Sequence, residues 1–354
     1  LGVETLLHTS GKRIRRRLKG SVNGVVAVKN GEEFLIKTRS VILATGGFGD
    51  NKELLKKYCP DYYDGMPVDH WPHHSSHSGD GLLMAEEIGA AIADSVPIYH
   101  IGPYYPGYLY PWQSLPAMAM HPCAVWVNNR GRRFIDEAGY GSMVVGNAII
   151  LQPDKVMYSL FDDELRKNVE EGRSVSAGRP RKQAGRGGGT IEVAPEKGLP
   201  GLAEELQKHA KGGDTKTAAS WDGIAKWIGA DPEILKAEIN EYNSYCEQGH
   251  DEIFAKDRKY LQPLRNPPYY AMRCYARVGE TLGGIKVNEN MEILDKQLKV
   301  IPGAYAAGVI ADGCQGQTYC MDVPGSAMGF AVNSGRIAGE NAAKYVLGKQ
   351  RRKR

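Results

Sequence analysis

Four histidines lie within one short stretch of the chain, and their spacing raises the question of a metal site. The stretch reads DHWPHHSSHSGD at residues 69–80, and its histidines are His70, His73, His74 and His77. Two histidines four residues apart can bind a transition metal when the segment is helical. Pro72 and the serines favour a loop instead, and no helix that bears carboxylates accompanies the histidines. The sequence therefore does not favour a metal centre.

A second chemical feature is a concentration of aromatic residues, most of them tyrosines, between residues 96 and 112. Proline and glycine are interleaved with them, so neither a long helix nor a regular strand is expected. Tyrosine rings at this density are typical of a cleft or an interface, and the alternative is a loop packed on its own core. The aromatic residues are Tyr99, Tyr104, Tyr105, Tyr108, Tyr110 and Trp112.

Glycine-rich loops follow two short apolar strands, which is the arrangement that brings backbone N–H groups to a ligand. The first is TRSVILATGGFGDN at residues 38–51, and the second is YAAG at residues 305–308. In open α/β sheets ligands bind outside the carboxyl ends of the strands, and glycine allows the backbone to approach them closely. Residues 324–326 (PGS) then begin the last helix, whose first N–H groups suit an anion or a polar ring edge.

The elements that must position these groups form a mixed pattern of helices and strands. Residues 1–50 are rich in strand patterns, and Asn30-Gly31 predicts a hairpin. Asp80 fits the N-cap of a helix with apolar residues at helical spacing. Residues 151–270 combine helices and strands, and residues 271–354 return to strands and turns before the final helix.

Composition indicates a globular protein of two domains. The chain has 354 residues, of which 42% are hydrophobic and 24% charged. Since a domain typically has roughly 100–200 residues, this length corresponds to two domains. The net charge of +4 is too small to indicate a nucleic-acid partner, and no apolar run approaches the roughly 18 residues that span a bilayer. Six scattered cysteines without a C-x-x-C pair favour reduced thiols in a cytoplasmic protein.

Seven motifs, in this order and spacing, resemble one family of flavoproteins: the fumarate reductases, the flavoprotein subunits of succinate dehydrogenase and the 3-ketosteroid dehydrogenases. Each motif alone is weak, but together they extend over nearly the whole chain. They are ATGGFGDN (44–51), GDGLLMAEEIGAA (79–91), VNNRGRRFIDE (127–137), EYNSYCEQGHD (241–251), TLGGIKVN (281–288), AYAAG (304–308) and GRIAGENAA (335–343).

The resemblance implies an α/β fold with an FAD-binding, Rossmann-like, three-layer domain that is discontinuous in sequence. Residues 1–95 and 271–354 would form this domain, and residues 96–270 an inserted α+β capping domain for the substrate. The family's G-x-G-x-x-G fingerprint is absent from the chain. In the family it precedes the region that this chain matches, so we expect either a fragment or a second chain that supplies the missing FAD segment.

FAD is the cofactor that the resemblance implies, with no metal. Asp80 matches the aspartate on the flavin side, and Val309 stands where the family usually has glutamate. Ala327 and Met328 match positions whose backbone meets the flavin ring. The full set implied for cofactor binding is Ala44, Thr45, Gly46, Gly47, Asp80, Gly308, Val309, Ser326, Ala327 and Met328.

The residues at the catalytic positions differ from those of the family members that use dicarboxylates. Their two histidines correspond to Gly102 and Glu280, and their two arginines to Tyr140 or Gly141 and to Asp322. Carboxylates at 280 and 322 would repel a dianion, so fumarate and succinate are not expected as substrates. Ketosteroid dehydrogenases use tyrosines instead, for proton abstraction and to hold a carbonyl. The candidate catalytic residues are therefore Tyr104, Tyr105, Tyr140, Tyr319, Glu280 and Asp322.

Together these features predict an FAD-dependent oxidoreductase that transfers a hydride between flavin N5 and a C=C or CH–CH bond conjugated to a carbonyl. A tyrosine or Glu280 would move the proton, and the substrate would be a neutral or cationic small molecule. One alternative is a reductase of another 2-enoate that uses Arg133, Arg273 or Arg277. The other is a non-catalytic chain that contributes half of a flavin site to a partner subunit. The electron donor or acceptor is left open, and neither nucleic acid nor membrane is expected as a partner.

Overall fold

The computed structural model describes residues 2–17, 20–60, 77–108, 113–138, 142–174, 198–313, 315–316, 319 and 325–351. Tyr140 and Asp322, both predicted to be catalytic, lie outside the described residues, as do His70, His73 and His74. The chain divides into two compact units. The first comprises Leu1–Asp64, His73–Tyr99 and Gly279–Arg354, and the second comprises Gly65–Pro72 and His100–Val278.

Helices and strands are mixed throughout both units, as predicted. The strands are β1 Thr9–Arg16, β2 Val22–Lys29, β3 Glu32–Ile36, β4 Val41–Leu43, β5 Ile98–Tyr104, β6 Val125–Val127, β7 Val156–Asp162, β8 Thr215–Ala218, β9 Tyr269–Thr281, β10 Glu292–Leu294 and β11 Val300–Ala306. The helices are α1 Lys52–Tyr58, α2 Asp80–Glu87, α3 Ser114–Ala119, α4 Ser142–Ile150, α5 Asp163–Glu170, α6 Leu202–Ala210, α7 Trp221–Ile228, α8 Pro232–Gln248 and α9 Ser326–Arg351.

The first unit contains two three-stranded sheets. One has the order β1-β2-β3, with antiparallel pairs throughout. Asn30 and Gly31 join β2 to β3 with φ angles of 54° and 85°, so the predicted hairpin is confirmed. Both residues adopt the left-handed backbone that a tight hairpin turn requires, and glycine and asparagine tolerate it best.

The second sheet of this unit brings the two predicted strand ends together. Its order is β10-β11-β4, and β4 pairs with β11 in parallel, with Val41 opposite Ala304 and Leu43 opposite Ala306. The backbone N–H of Ala307 donates to the carbonyl oxygen of Leu43 at 2.9 Å. Because the two strands run in the same direction, the loops that follow them open at the same edge of the sheet.

Helix α2 begins differently from the prediction. Its N-cap is Gly79, with a φ of 79°, and Asp80 is the first helical residue, so the prediction of Asp80 as the N-cap is wrong. A Cβ at position 79 would meet the side chains of Leu54 and Phe48, so close packing and the left-handed backbone both require glycine there. Asp80 remains exposed, at the end of the helix where a negative charge is favourable.

The second unit is built on one five-stranded sheet, with the order β5-β9-β7-β6 and with β8 also paired to β9. Helices α7 and α8 pack against it through a core that includes Val127, Leu160, Ile224 and Tyr242. Asp231 caps α8 by accepting hydrogen bonds from the second and third residues of the helix. This is the start that the sequence Asp231-Pro232 predicts.

Candidate functional site

In the first unit, the loops after β4 and β11 form one edge with exposed backbone. Ala44 and Thr45 are exposed and Gly46 is half-buried, although the strand before them ends in the buried Leu43. After β11, Gly308 has a φ of 75°, and its N–H donates to Ser334 Oγ at 2.9 Å. These loops contain six of the ten residues predicted to bind the cofactor.

Residues 280–284, at the end of β9 and just after it, join the same edge. The N–H of Phe48 donates to Thr281 Oγ1 at 3.1 Å, and the N–H of Gly283 donates to the carbonyl oxygen of Val309 at 2.9 Å. A Cβ at Gly47 would collide with Glu280 Oε1 and Thr281 Oγ1. Position 47 is therefore glycine because the side chains of Glu280 and Thr281 lie so close to its backbone. The sequence suggested only that glycine here would let the backbone approach a ligand.

Glu280, a predicted catalytic residue, is paired with His77. Nδ1 of His77 lies 2.7 Å from Oε2 of Glu280, and their side chains are 27% and 17% exposed. The other carboxylate oxygen accepts the backbone N–H of Thr281 at 2.9 Å. Both residues belong to the first unit, and sequence analysis considered His77 only as a metal ligand. No local pattern could have revealed the pair, because its members lie far apart in the chain.

The environment of Glu280 favours its protonated form. Burial raises the pKa of this carboxyl above its ordinary value, and the negative charge of Asp50 contributes in the same direction. His77 and the hydrogen bonds from Thr281 oppose the shift but do not cancel it. A carboxyl group whose pKa is raised towards neutrality is suited to exchange protons with a substrate.

Two helices, α2 and α9, carry predicted cofactor residues in their first turns. At the start of α2, a Cβ on Gly81 would meet Thr45 Oγ1, so the Thr45 side chain lies against the first turn of the helix. At the start of α9, Ser326 Oγ accepts a hydrogen bond from Gln315 Nε2 at 3.3 Å. Ala327 is half-buried and Met328 is 66% exposed.

These features fit one part of an FAD site. The first N–H groups of α9 have no acceptor within the helix, because intrahelical bonds begin only with Gly329, which donates to Gly325. Exposed backbone at Ala44 and Thr45, together with the carboxylate of Asp80, provides donors and acceptors for a dinucleotide. The residues present would therefore hold FAD mainly by backbone contacts, with the carboxylate of Asp80 as a charged acceptor.

The tyrosines predicted to be catalytic belong to both units. Tyr319 is half-buried in the first unit, where its ring stacks on that of Tyr99 with centroids 5.4 Å apart. Tyr104 is buried in the second unit, which raises the pKa of its hydroxyl, and the guanidinium of Arg277 lies 5.6 Å from its ring centroid. Tyr105 is fully buried and its hydroxyl is hydrogen-bonded to Thr215 Oγ1 at 2.8 Å, as expected of a core tyrosine.

Arg133 cannot serve as the non-aligned arginine of a 2-enoate reductase. It is buried in the second unit, where its guanidinium is 3.0 Å from Glu137 and 2.8 Å from Asp251. Lys256, also fully buried, adds a contact of 3.2 Å to Glu137. These ion pairs connect residues 133–137 to the segment after α8. Because the positive charges of Arg133 and Lys256 are paired within the protein, neither is available to bind a substrate. Arg273 and Arg277 are half-buried and lie over aromatic rings.

The described residues contain neither a candidate metal site nor a candidate membrane span. Within the ranges given above, no group of three or more His, Cys, Asp or Glu side chains could hold a metal ion. None of the helices described is both long and apolar enough to cross a membrane.

Comparisons with known proteins identify the family of this chain. A family model described as FAD binding domain matches residues 2–321. Vinyl phenol reductase of Lactiplantibacillus plantarum is 29% identical over 360 residues, which cover 98% of this chain and 69% of that protein. A probable fumarate reductase of Shewanella frigidimarina is 30% identical over 350 residues, which cover 98% of this chain and 52% of that protein. The chain thus spans between half and somewhat over two thirds of these relatives.

Solved structures show the same fold. The 3-ketosteroid delta1-dehydrogenase from Sterolibacterium denitrificans matches 95% of this chain and 59% of its own, with a TM-score of 0.70 and 23% identity. The fold of FAD-binding flavoenzymes is thereby established for the chain, and FAD is confirmed as the predicted cofactor. The two relatives named above are described as reductases, one of them as a probable one, which is within the predicted class of oxidoreductases. The chain belongs to the FAD binding domain family.

Proposed function

We propose that this chain is the greater part of an FAD-dependent oxidoreductase that acts on a C=C or CH–CH bond conjugated to an electron-withdrawing group such as a carbonyl. The observation that carries the proposal is the position of Glu280, whose half-buried carboxyl lies against Gly47 in the loop that we assign to FAD. FAD, when bound, exchanges a hydride with the substrate through flavin N5. Glu280 would exchange the proton at the neighbouring carbon.

We assign the cofactor contacts to the exposed backbone of Ala44 and Thr45, to Gly46, Gly308 and Val309, and to the first turn of α9. Asp80 would accept hydrogen bonds from hydroxyl groups of the cofactor. Residues 1–95 and 271–354 would form a discontinuous, Rossmann-like, three-layer FAD domain, and residues 96–270 a capping domain for the substrate. The parallel pairing of β4 with β11, from opposite ends of the chain, supports this discontinuous domain.

The substrate is proposed to be neutral or cationic rather than a dicarboxylate. When ionised, Glu280 would repel an anionic substrate, at a cost of about 4 kcal/mol for charges roughly 4 Å apart at an effective dielectric of about 20, and when protonated it offers such a substrate no positive charge. Arg133 cannot offset this cost, because two acidic residues already neutralise it. A vinyl phenol and a ketosteroid, named in the descriptions of two similar proteins, are uncharged compounds of the expected kind.

The test is the flavin content and substrate range of the complete protein, purified with whatever sequence adjoins this chain. We expect FAD to be released on denaturation, and reduction of an enone steroid with reduced methyl viologen as the electron donor. Fumarate should be turned over at least about 100-fold less efficiently, as expected for a penalty of roughly 3 kcal/mol or more. Absence of FAD, or a preference for fumarate, would refute the proposal.

A second candidate is a chain that contributes half of a flavin site to a partner. One observation favours it: β4 is an edge strand among the described strands of its sheet. If this polypeptide at its natural ends retains FAD only together with a second polypeptide, this candidate is correct. In either case we propose a cytoplasmic location, supported by the free cysteines Cys59, Cys123, Cys246 and Cys274.

A further inference from the structure

The backbone of the segment that contains His77 is held by its own hydrogen bonds within the first unit, independently of the contact with Glu280. The backbone of His77 is fixed by two reciprocal bonds: the N–H of Asp50 donates to the carbonyl oxygen of His77 at 3.1 Å, and the N–H of His77 donates to Asp50 Oδ2 at 3.2 Å. The next residue, Ser78, accepts a hydrogen bond from Asn51 Nδ2 at 2.9 Å. Three bonds therefore hold the histidine on the stretch that follows the predicted FAD loop.

The imidazole ring is also confined by its surroundings. On one side Nδ1 lies 2.7 Å from Glu280 Oε2. On the other side a Cβ at Gly46 would lie 3.0 Å from Nε2, so any larger residue at this position would press on the ring. Gly46 and Gly47 thus make room for His77 and Glu280 respectively. The ring keeps an exposed fraction of 27%, which gives it access to solvent.

We propose that His77 is a positioning and proton-relay residue for Glu280. The inference rests on the function proposed above and adds to it the route by which the acid is reprotonated. His77 holds the carboxyl in one orientation through Nδ1 and exchanges protons with solvent through Nε2. Among the described residues, Asp50 is the other charged group that faces His77 and Glu280. Its carboxylate accepts a hydrogen bond from the backbone N–H of His77.

The proton balance is simple in the direction of reduction. The β-carbon of the C=C bond receives a hydride, with both electrons, from reduced FAD. The α-carbon receives a proton from Glu280, which becomes a carboxylate. The carboxylate then takes the Nδ1 proton of His77 as solvent protonates Nε2, so the imidazole stays neutral. Proton exchange with solvent then returns His77 to its Nδ1–H tautomer before the next turnover. In the direction of dehydrogenation each transfer runs backwards, and oxidised FAD accepts the hydride.

The test compares His77→Gln and Glu280→Gln in the complete, FAD-loaded protein, with His250→Gln as the matched control. Glutamine at 77 can still donate a hydrogen bond to Glu280 but cannot carry a proton, whereas His250 is an exposed histidine of the second unit. With an enone steroid as the probe, we expect His77→Gln to lower kcat about tenfold or more with little change in KM. The limb of the pH profile that reports Glu280 should move to higher pH, because His77 lowers the pKa of that carboxyl.

A second readout needs no turnover. In protein labelled with ¹⁵N in histidine, the His77 signals, identified by their loss in His77→Gln, should shift in Glu280→Gln because the hydrogen bond at Nδ1 changes, while those of His250 stay unchanged. Unchanged His77 signals, or an unchanged pH profile and a kcat within about twofold in His77→Gln, would overturn the inference alone. If the unmodified protein shows no FAD-dependent turnover, the proposed function fails first and the relay fails with it.

Discussion

At the scale of single residues, the site combines features that are individually ordinary. Glycine at 46 and 47 is commonly associated with a loop that approaches phosphate, but here both positions also accommodate the side chains of His77 and Glu280. Glu280 illustrates the electrostatic consequence: it is mostly removed from water, lies near Asp50, and has only one described basic partner. Such a carboxyl retains its proton more readily than an exposed one, which is the property that an acid–base residue needs.

We predict that this property is visible in the pH dependence of stability. The pKa of Glu280 is raised in the folded state, so its contribution to stability is complete below the unfolded pKa and is lost as pH rises through the folded pKa. Glu280→Gln cannot titrate. Between about pH 4 and about pH 8, thermal unfolding should therefore show a greater loss of stability in the unmodified protein than in Glu280→Gln. Equal losses in the two proteins would contradict the raised pKa.

At the scale of elements, one residue joins the start of a helix to the histidine loop. Asn51 caps α1 by accepting the N–H of Leu54 at 3.1 Å, and its amide donates to the carbonyl oxygen of Ser78 at 2.9 Å. Sequence patterns predicted a loop for the histidine-rich stretch, but not its contact with the start of α1. The same applies to Arg133, whose sequence position suggested a substrate-binding cation until its buried partners Glu137 and Asp251 became visible.

We predict that Asn51→Ala lowers the free energy of unfolding by about 1–2 kcal/mol, since it removes both the cap and the tie to residue 78. Asn51→Asp is the matched variant: its carboxylate can still cap α1, but it cannot donate to Ser78. Its loss should therefore be smaller than that of the alanine variant. Urea denaturation of the three proteins measures both differences, and equal losses in the two variants would show that the cap contributes nothing.

At the scale of the whole molecule, the sequence was most informative where a pattern is local. It predicted the hairpin at Asn30-Gly31 and the two glycine-rich strand ends, because turn residues and apolar runs are read directly from neighbours in the chain, while its resemblance to a known family implied the family and FAD. It could not predict that His77 meets Glu280 or that Gly79 rather than Asp80 caps α2. Those outcomes depend on side chains that only tertiary packing brings together.

The last helix leads to a prediction at this scale. Helix α9 packs through Ala338 and Ala342 on Tyr305 and Ala307, but its Met328 and Val332 side chains are each 66% exposed. If sequence outside this chain supplies the proposed dinucleotide segment, it should cover this apolar face and complete the FAD site.

In the complete protein, Val332→Asp should then lower both the melting temperature and the FAD retained after gel filtration, because a charge would be buried without a partner. Lys344→Asp, an exposed position on the same helix, provides the control. Equal FAD retention and equal melting temperatures in the two variants would mean that this face of α9 stays exposed to solvent in the complete protein.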